Sequence, residues 1–444
     1  MPSAIQAGTR LRSDHDPRAA ALRVINGVLV SAETSQALLD RHLRESRLVP
    51  SDKRLCTELV YGYLRRSRLL DWSLLHFLKK PDKLPLEMLL VLGLAAYESA
   101  YLRTPAYACV NWAVSRIRNR FGARLASVAN GVLRSFSSKY NDLSDSAHFA
   151  SIADYAERIA LMYSLPTWIV RLWLGAYGEE TALAFMRASM LKPLPALRVN
   201  AARAEAASVR GRLLQDERGT PVSSYGVAFP EGLPFCARSL VKEGYVSLQS
   251  PAVQEILAAL DLPSWNTPLW DACAGRGGKT AAMLERGLAV SAATDISAKR
   301  IADLSSEIKR LHLQAPEFIS VCDAASPPSD SLFRNSFETI VADVPCSGLG
   351  TLARRPEIRF RRSEADILTL AALQDRILDA AVTVLRRGGQ IIYLTCTLNP
   401  LENEKRVHAF LSRHTGFSLR REFMTPADAP WQEFMYGAVL AQTH

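Results

Sequence analysis

Asp271-Ala-Cys-Ala-Gly-Arg-Gly-Gly-Lys-Thr280 is the stretch from which the fold can be read. The apolar run Thr267 to Cys273 ends in three glycines within four positions, Gly275, Gly277 and Gly278, and passes straight into a helical pattern. Strand, tight turn and helix in that order begin an α/β unit. Glycines let a ligand approach the backbone, and the free N–H groups of the helix that follows attract negative charge. Two phosphate-binding signatures fail here on a required residue. A Walker A loop needs glycine five positions before Gly278-Lys279-Thr280, where Cys273 stands, and the third glycine of a dinucleotide fingerprint would fall on Thr280. A tight strand-to-helix turn with no ligand is the bland alternative.

Working outward, the same alternation repeats. Ala289 to Thr294, Phe318 to Val321, Thr339 to Asp343 and Gln390 to Cys396 are the further strands expected of a parallel sheet covered by helices. Ligands of such sheets bind at the carboxyl ends of the strands. Asp295 ends the second strand, 24 residues after Asp271, where a carboxylate can accept both hydroxyls of a ribose. Asp323 follows the third strand, within reach of an adenine edge. One acidic strand end is ordinarily a solvated turn. Three in succession beside a glycine turn favour an adenosine ligand without a long phosphate chain, and S-adenosylmethionine fits better than NAD or ATP.

The fourth strand delivers Asp343-Val-Pro-Cys-Ser-Gly348, and the fifth ends at Thr395-Cys396, followed by Glu402-Asn403-Glu404. Most single cysteines are small core residues, the reading given to Cys56, Cys109, Cys236 and Cys322. Cys346 and Cys396, at adjacent strand ends beside a cofactor turn, suit different work. Methylating C5 of a pyrimidine requires a thiolate to add at C6 first, because C5 is otherwise unreactive. A thiol of ordinary pKa near 8.5 needs nearby positive charge to ionise, and Lys279 or the arginines close by could supply it.

These motifs resemble the Nop/Sun family of RNA cytosine-5 methyltransferases: the glycine motif Asp271 to Thr280, the Asp-x-Pro-Cys-Ser-Gly motif Asp343 to Gly348, and the Thr-Cys motif Thr395-Cys396 with Glu402-Asn403-Glu404. Arg198-Val-Asn200 and Pro166-Thr-Trp168 match shorter family signatures, so the resemblance covers about residues 160 to 444. Val128 to Arg134 and the helices around it resemble the RNA-binding NusB domain. The resemblance implies that Cys396 attacks C6, that Cys346 assists product release, and that Asp343 lies between cofactor and target base. It further implies that Cys273, Ala274, Gly275, Arg276, Gly277, Gly278 and Lys279 cradle the methionine part of S-adenosylmethionine, with Asp295 on the ribose, Asp323 near the adenine and no metal. The implied substrate is a cytosine of 16S ribosomal RNA, free or in an assembling small subunit. Two positions depart from the family pattern: Gly275-Arg276 stands where Ala-Pro is usual, and Gln249-Ser250 where Gln-Asp is frequent. Arg276 could turn toward phosphate.

Length and charge agree with two functional parts. The 444 residues are 48% hydrophobic and 22% charged, enough for several packed domains and incompatible with a disordered or fibrous chain. Of the net charge of +10, residues 1–150 carry 22 basic against 13 acidic side chains, an excess of nine, and the remainder carries 32 against 31. Between Glu98 and Asp142 stand Arg103, Arg116, Arg118, Arg120, Arg124, Arg134 and Lys139 with no acid, a solvated face or a surface for nucleic acid. Arg354, Arg355, Arg359, Arg361 and Arg362 are expected to face RNA phosphate, with a solvated loop as the alternative. The apolar run Met88 to Tyr97 is far short of the roughly 18 residues of a membrane span. No apolar signal segment opens the chain, and the seven cysteines show no zinc spacing, so a cytoplasmic monomer with free thiols is expected.

The expected fold is therefore multidomain: a flexible tail 1–16, an all-α NusB-like helical domain 17–140, a connecting helical and small α/β subdomain 150–245, and an α/β Rossmann-like methyltransferase domain 246–444. Competing functions are a methyltransferase of transfer RNA, a DNA enzyme using Cys346 as nucleophile, and an RNA-binding assembly factor without catalysis.

Overall fold

The computed structural model describes residues 15–145, 149, 151–215, 217–328 and 333–443, so the expected tail lies outside the described residues up to residue 14. The chain forms two compact units, one of residues 1–190 with 355–361 and one of 191–354 with 362–444. Residues 150–245, expected as one connecting part, are divided: 150–190, with the helices Tyr155–Met162 and Thr167–Met190, fall in the first unit, and 191–245, with three short strands and the helices Ala206–Gln215 and Ala237–Lys242, in the second. Among the described residues no single helix is long and apolar enough to cross a membrane.

The first unit is helical: α1 (Pro17–Val30), α2 (Ser35–Glu45), α3 (Pro50–Leu75), α4 (Leu86–Tyr101), α5 (Ala106–Phe121), α6 (Ala123–Ser144), α7 (Tyr155–Met162) and α8 (Thr167–Met190). Asp16 caps α1 by accepting the Arg18 N–H, and Pro17 at the first helical position loses no hydrogen bond. Leu22, Ile25 and Val28 are buried as their spacing predicts, and so are Leu59, Tyr63 and Leu64 of α3. Leu75 is not: it ends α3 and is exposed. Helix α4 is apolar on every side because it is the central helix, buried from Met88 to Glu98 with few gaps. Its one buried acid, Glu98, takes both nitrogens of Arg18 at 2.6 and 2.7 Å. Close crossing of α3 over α4 rests on Gly62, where a Cβ would fall 1.8 Å from the Tyr97 hydroxyl. Between the expected domains 17–140 and 150–245, where the polar run from Asn141 suits a linker, α6 continues to Ser144; residues 146–148 and 150 lie outside the described residues.

The second unit holds two sheets. A small antiparallel sheet has the order β2-β3-β1-β4, from β1 (Ala196–Val199), β2 (Thr220–Val222), β3 (Gly226–Ala228) and β4 (Val246–Leu248). The large sheet has the order β10-β11-β9-β8-β5-β6-β7, from β5 (Leu269–Asp271), β6 (Val290–Asp295), β7 (Phe318–Val321), β8 (Phe337–Asp343), β9 (Leu385–Thr395), β10 (Phe417–Met424) and β11 (Tyr436–Gln442). Its five expected strands are parallel, but β11 runs antiparallel to β9 and β10 antiparallel to β11, so the sheet is mixed rather than wholly parallel. From β5 the chain winds outward to β6 and β7, then returns to the other side of β5 as β8 and β9. The topological switch therefore falls between β5 and β8, where a crevice opens at the strand ends.

Arg198 of β1 fastens the small sheet to this crevice. Its side chain is buried and donates to both Glu285 oxygens at 2.7 and 2.8 Å and to the Gly278 carbonyl at 2.8 Å. Asn200 donates to the carbonyls of Gly244 and Leu311, each at 3.0 Å. The Arg-Val-Asn signature is thus a brace. Glu285→Ala would leave a buried guanidinium without its anion, and the expected loss of stability is about 3–5 kcal/mol in a urea titration. A loss below about 1 kcal/mol would contradict the brace.

Candidate functional site

Helix α9 (Gly278–Leu284) follows the glycine turn after β5, with Gly275 and Gly277 at φ of +58° and +83°. Open space surrounds Gly275, whereas a Cβ on Gly277 would meet Leu304 at 2.9 Å. The Gly275 N–H donates to Asp295 Oδ2 at 3.1 Å, and Asp295 Oδ1 accepts the Ser297 N–H at 2.8 Å. Asp295 is therefore buried and oriented by the turn it faces. Asp323 is exposed and accepts the Ala325 N–H at 3.0 Å. Burial pushes the Cys273 thiol well up, reinforced by the charges of Asp343, Asp271, Asp295 and Asp323. The four strand-end carboxylates thus converge on one loop.

Asp271 is fully buried; its Oδ2 accepts the Thr280 hydroxyl at 2.7 Å, while Oδ1 has no partner. Gln249 donates to the Gly278 carbonyl at 3.0 Å and leaves its own Oε1 buried and unpaired. Unsatisfied buried acceptors are costly. Two of them beside an open glycine turn ringed with carboxylates fit a ligand that brings N–H donors and positive charge, as the amino and sulfonium groups of S-adenosylmethionine do. Arg276 does not turn inward: it is exposed and pairs with Asp303 at 3.3 Å.

Lys279 reaches Asp343 at the end of β8, Nζ to Oδ2 at 2.6 Å. Burial would lower the ammonium pKa, but Asp343 and then the charges of Cys396 and Asp271 hold it above the ordinary value. β8 and β9 are parallel neighbours in register from Thr339 and Gln390 to Asp343 and Leu394. That pairing brings Cys346 Sγ to 3.3 Å from Cys396 Sγ, and the Cys396 N–H to 3.3 Å from Cys346 Sγ. Gly350 admits the approach, because a Cβ there would lie 2.3 Å from the Phe434 carbonyl oxygen and 3.0 Å from that of Cys396.

Glu402 and Ser347 of the quoted motifs hold this pair together with Gln374 and Asn399, which no motif marks. Glu402 Oε1 accepts the Ser347 N–H at 2.8 Å and the Gln374 amide at 3.0 Å; its Oε2 accepts the Ser347 hydroxyl and, at 3.1 Å, the Asn399 amide. The Glu-Asn-Glu run was visible as a motif, yet its donors lie 28 to 55 residues upstream and three residues before it.

The arginines after the Pro-Cys motif, expected at RNA phosphate, all have partners within the protein. Arg354 makes a bidentate pair with Glu433 at 2.7 and 2.6 Å, and Arg362 donates to the Ser347 carbonyl at 3.3 Å. Residues 355–361 belong to the helical unit. There Arg359 is buried and donates to the Ser189 carbonyl at 2.7 Å, Arg361 donates to the carbonyls of Val28, Ala32 and Glu33, and Arg355 lies 3.7 Å from buried Glu357. Their guanidiniums satisfy backbone and carboxylate groups. On α5, Arg116 and Arg120 share Glu87 at 2.9 and 3.4 Å, so part of the acid-free stretch is neutralised from α4. Arg118, Arg124 and Arg134 remain exposed.

Comparison with known proteins agrees with both units. Residues 258–433 match the family described as 16S rRNA methyltransferase RsmB/F, and residues 15–138 match the NusB family. The chain is 31% identical over 403 residues to the ribosomal RNA small subunit methyltransferase B of Vibrio vulnificus, covering 89% of this chain and 91% of that one. Among solved structures it resembles that of PH0851, with a TM-score of 0.75 and 20% identity over 96% of this chain and 98% of the other. It also resembles NSun6 from Pyrococcus horikoshii, solved with SFG, with a TM-score of 0.54 and 18% identity over 64% of this chain and all of the other.

Burial raises the Asp271 carboxyl to about 7, more than the Thr280 hydrogen bond lowers it. Its folded pKa then exceeds its unfolded one, so the folded state holds an extra proton between about pH 4 and 7 and loses stability as pH rises through that window, by about 1.4 kcal/mol per unit at most. In Asp271→Asn this fall should be absent from denaturation curves recorded from pH 5 to 7. An unchanged slope would mean that Asp271 is ionised throughout.

Proposed function

The chain belongs to the ribosomal RNA small subunit methyltransferase B family, and we propose that it methylates C5 of a cytosine in 16S ribosomal RNA through a covalent Cys396 adduct. Methylation of ribosomal RNA follows from the family. The finer reading rests on one observation, the 3.3 Å approach of Cys346 and Cys396 beside Lys279 and Asp343. A methyltransferase acting on nitrogen or oxygen has no use for two thiols there.

S-adenosylmethionine, when bound, supplies an electrophilic methyl group. The residues that would hold it are Cys273 to Lys279 with Asp295, Asp323 and Asp343. Cys396 adds as thiolate to C6, and the electron pair released into the ring makes C5 nucleophilic. Asp343, fixed by Lys279, ends the strand that leads to Cys346 and would hold the base. After transfer the C5 proton passes to solvent, its electron pair re-forms the C5–C6 double bond, and the C6–S bond breaks to return the Cys396 thiolate; Cys346, 3.3 Å away, is the group close enough to assist. A stacked cytosine cannot reach these thiols, so the target is unpaired or flipped out.

Residues 17–140 are proposed as the part that holds RNA, on naked 16S RNA or on an assembling subunit, with a monomer in the cytoplasm as the working form. Arg118, Arg124 and Arg134 are the groups to test. Changing all three to glutamine should weaken RNA binding and reduce the slope of log K against log salt by about 0.7 to 0.9 for each lost phosphate contact, with affinity for cofactor unchanged. Parallel loss of cofactor affinity would contradict the division of labour. With 5-fluorocytosine RNA and cofactor, the wild type should form an adduct that survives a denaturing gel, and Cys396→Ala should form none. With ordinary RNA, Cys346→Ala should accumulate the adduct. An adduct that survives loss of Cys396 would overturn the assignment.

A further inference from the structure

Glu402 is fully buried, and its four hydrogen-bond donors are all neutral. They come from three elements: Ser347, next to Cys346 after β8; Asn399, beyond Cys396 after β9; and Gln374 of the helix Glu364–Val384. Ser347 and Thr397 also join their hydroxyls at 2.6 Å, and Tyr393 donates to the Glu402 carbonyl at 2.6 Å. A buried carboxylate holds a network together no better than well-packed apolar groups would, so its charge calls for a separate account.

The charges around the two sulfurs are arranged unequally. Glu402 grips the peptide adjoining Cys346, whereas Lys279 is hydrogen-bonded to Asp343 at the end of β8. The hydrogen bond to Cys396, then burial, then the charges of Cys396 and Glu402 push the Cys346 thiol up; the Cys396 N–H acts in the opposite sense. The remaining groups close by are Arg362 on the Ser347 carbonyl, the Arg406–Asp375 pair, and Tyr393, which burial keeps neutral. The 3.3 Å contact leaves open which sulfur carries the shared proton. The carboxylate bound to the peptide next to Cys346 is the fixed charge that biases it, because a neighbouring anion disfavours ionisation of the thiol beside it.

We propose that Glu402 is a positioning residue that ties the two thiol loops together and places their shared proton on Cys346, leaving Cys396 as the thiolate. This deepens the reading of Cys396 as nucleophile, but its test involves no RNA. The full-length protein is treated with iodoacetamide across a pH series, and alkylation of each cysteine is counted by mass spectrometry. In the wild type Cys396 should react at least about tenfold faster than Cys346 near pH 7, equivalent to a separation of about one pKa unit. Glu402→Gln removes the charge but keeps the shape, and the ratio should collapse to within about threefold. Glu402→Asp keeps the charge and should preserve the order.

A wild-type ratio in Glu402→Gln would overturn the proposal. Equal collapse in Glu402→Gln and Glu402→Asp would also overturn it, because the carboxylate would then act only by packing. If Glu402→Gln does not fold, Cys346 reacting first in the wild type or in Glu402→Asp is decisive against it. Absence of an RNA adduct, with the alkylation ratio as expected, would count against the reaction and not against the role of Glu402.

Discussion

Two sulfur atoms 3.3 Å apart, on residues fifty positions apart in the chain, have to be held by something other than their own attraction. The pairing of β8 with β9 supplies the coarse alignment, since parallel register carries the ends of both strands to the same edge of the sheet. The fine alignment comes from a buried polar network in which every acceptor of Glu402 is filled. Such a network is stable when complete and costly when partly broken. The thiol pair therefore comes with a requirement for Ser347, Gln374 and Asn399, as well as for the glycine at 350.

The cofactor side obeys the same logic from the opposite direction. There the loop is left incompletely satisfied, with Asp271 Oδ1 and Gln249 Oε1 lacking donors and Gly275 opening onto free space. Rigidity is provided from behind, where Arg198 grips Glu285 and the Gly278 carbonyl. A site that must bind and release a ligand leaves its loop open and braces the backbone elsewhere.

Much of this was legible in the sequence, for identifiable physical reasons. Asp271, Asp295, Asp343 and the two cysteines end apolar strands, and in a sheet with crossover helices strand ends converge whatever the loop details. The glycine turn declared itself because only glycine tolerates positive φ beside a closely packed Leu304. The protein partners of the arginines after the Pro-Cys motif were not legible. A guanidinium serves a phosphate and a backbone carbonyl equally well, and the carbonyls of Val28, Ala32 and Glu33 lie more than 300 residues away in sequence. For the same reason Glu87 was not seen to neutralise Arg116 and Arg120. Strand β10, with Arg420, Arg421 and Glu422 at the edge of the sheet, lacks the apolar run that marks an interior strand.

The covalent mechanism turns on the carbon that receives the methyl group. Small-subunit ribosomal RNA prepared with tritium at C5 of its cytidines, incubated with the protein and S-adenosylmethionine, reports that carbon directly. One tritium released to solvent for each methyl group incorporated is the predicted result, since the C5 hydrogen must leave before Cys396 can. Methyl incorporation with all tritium retained would place the methyl elsewhere and contradict the covalent mechanism.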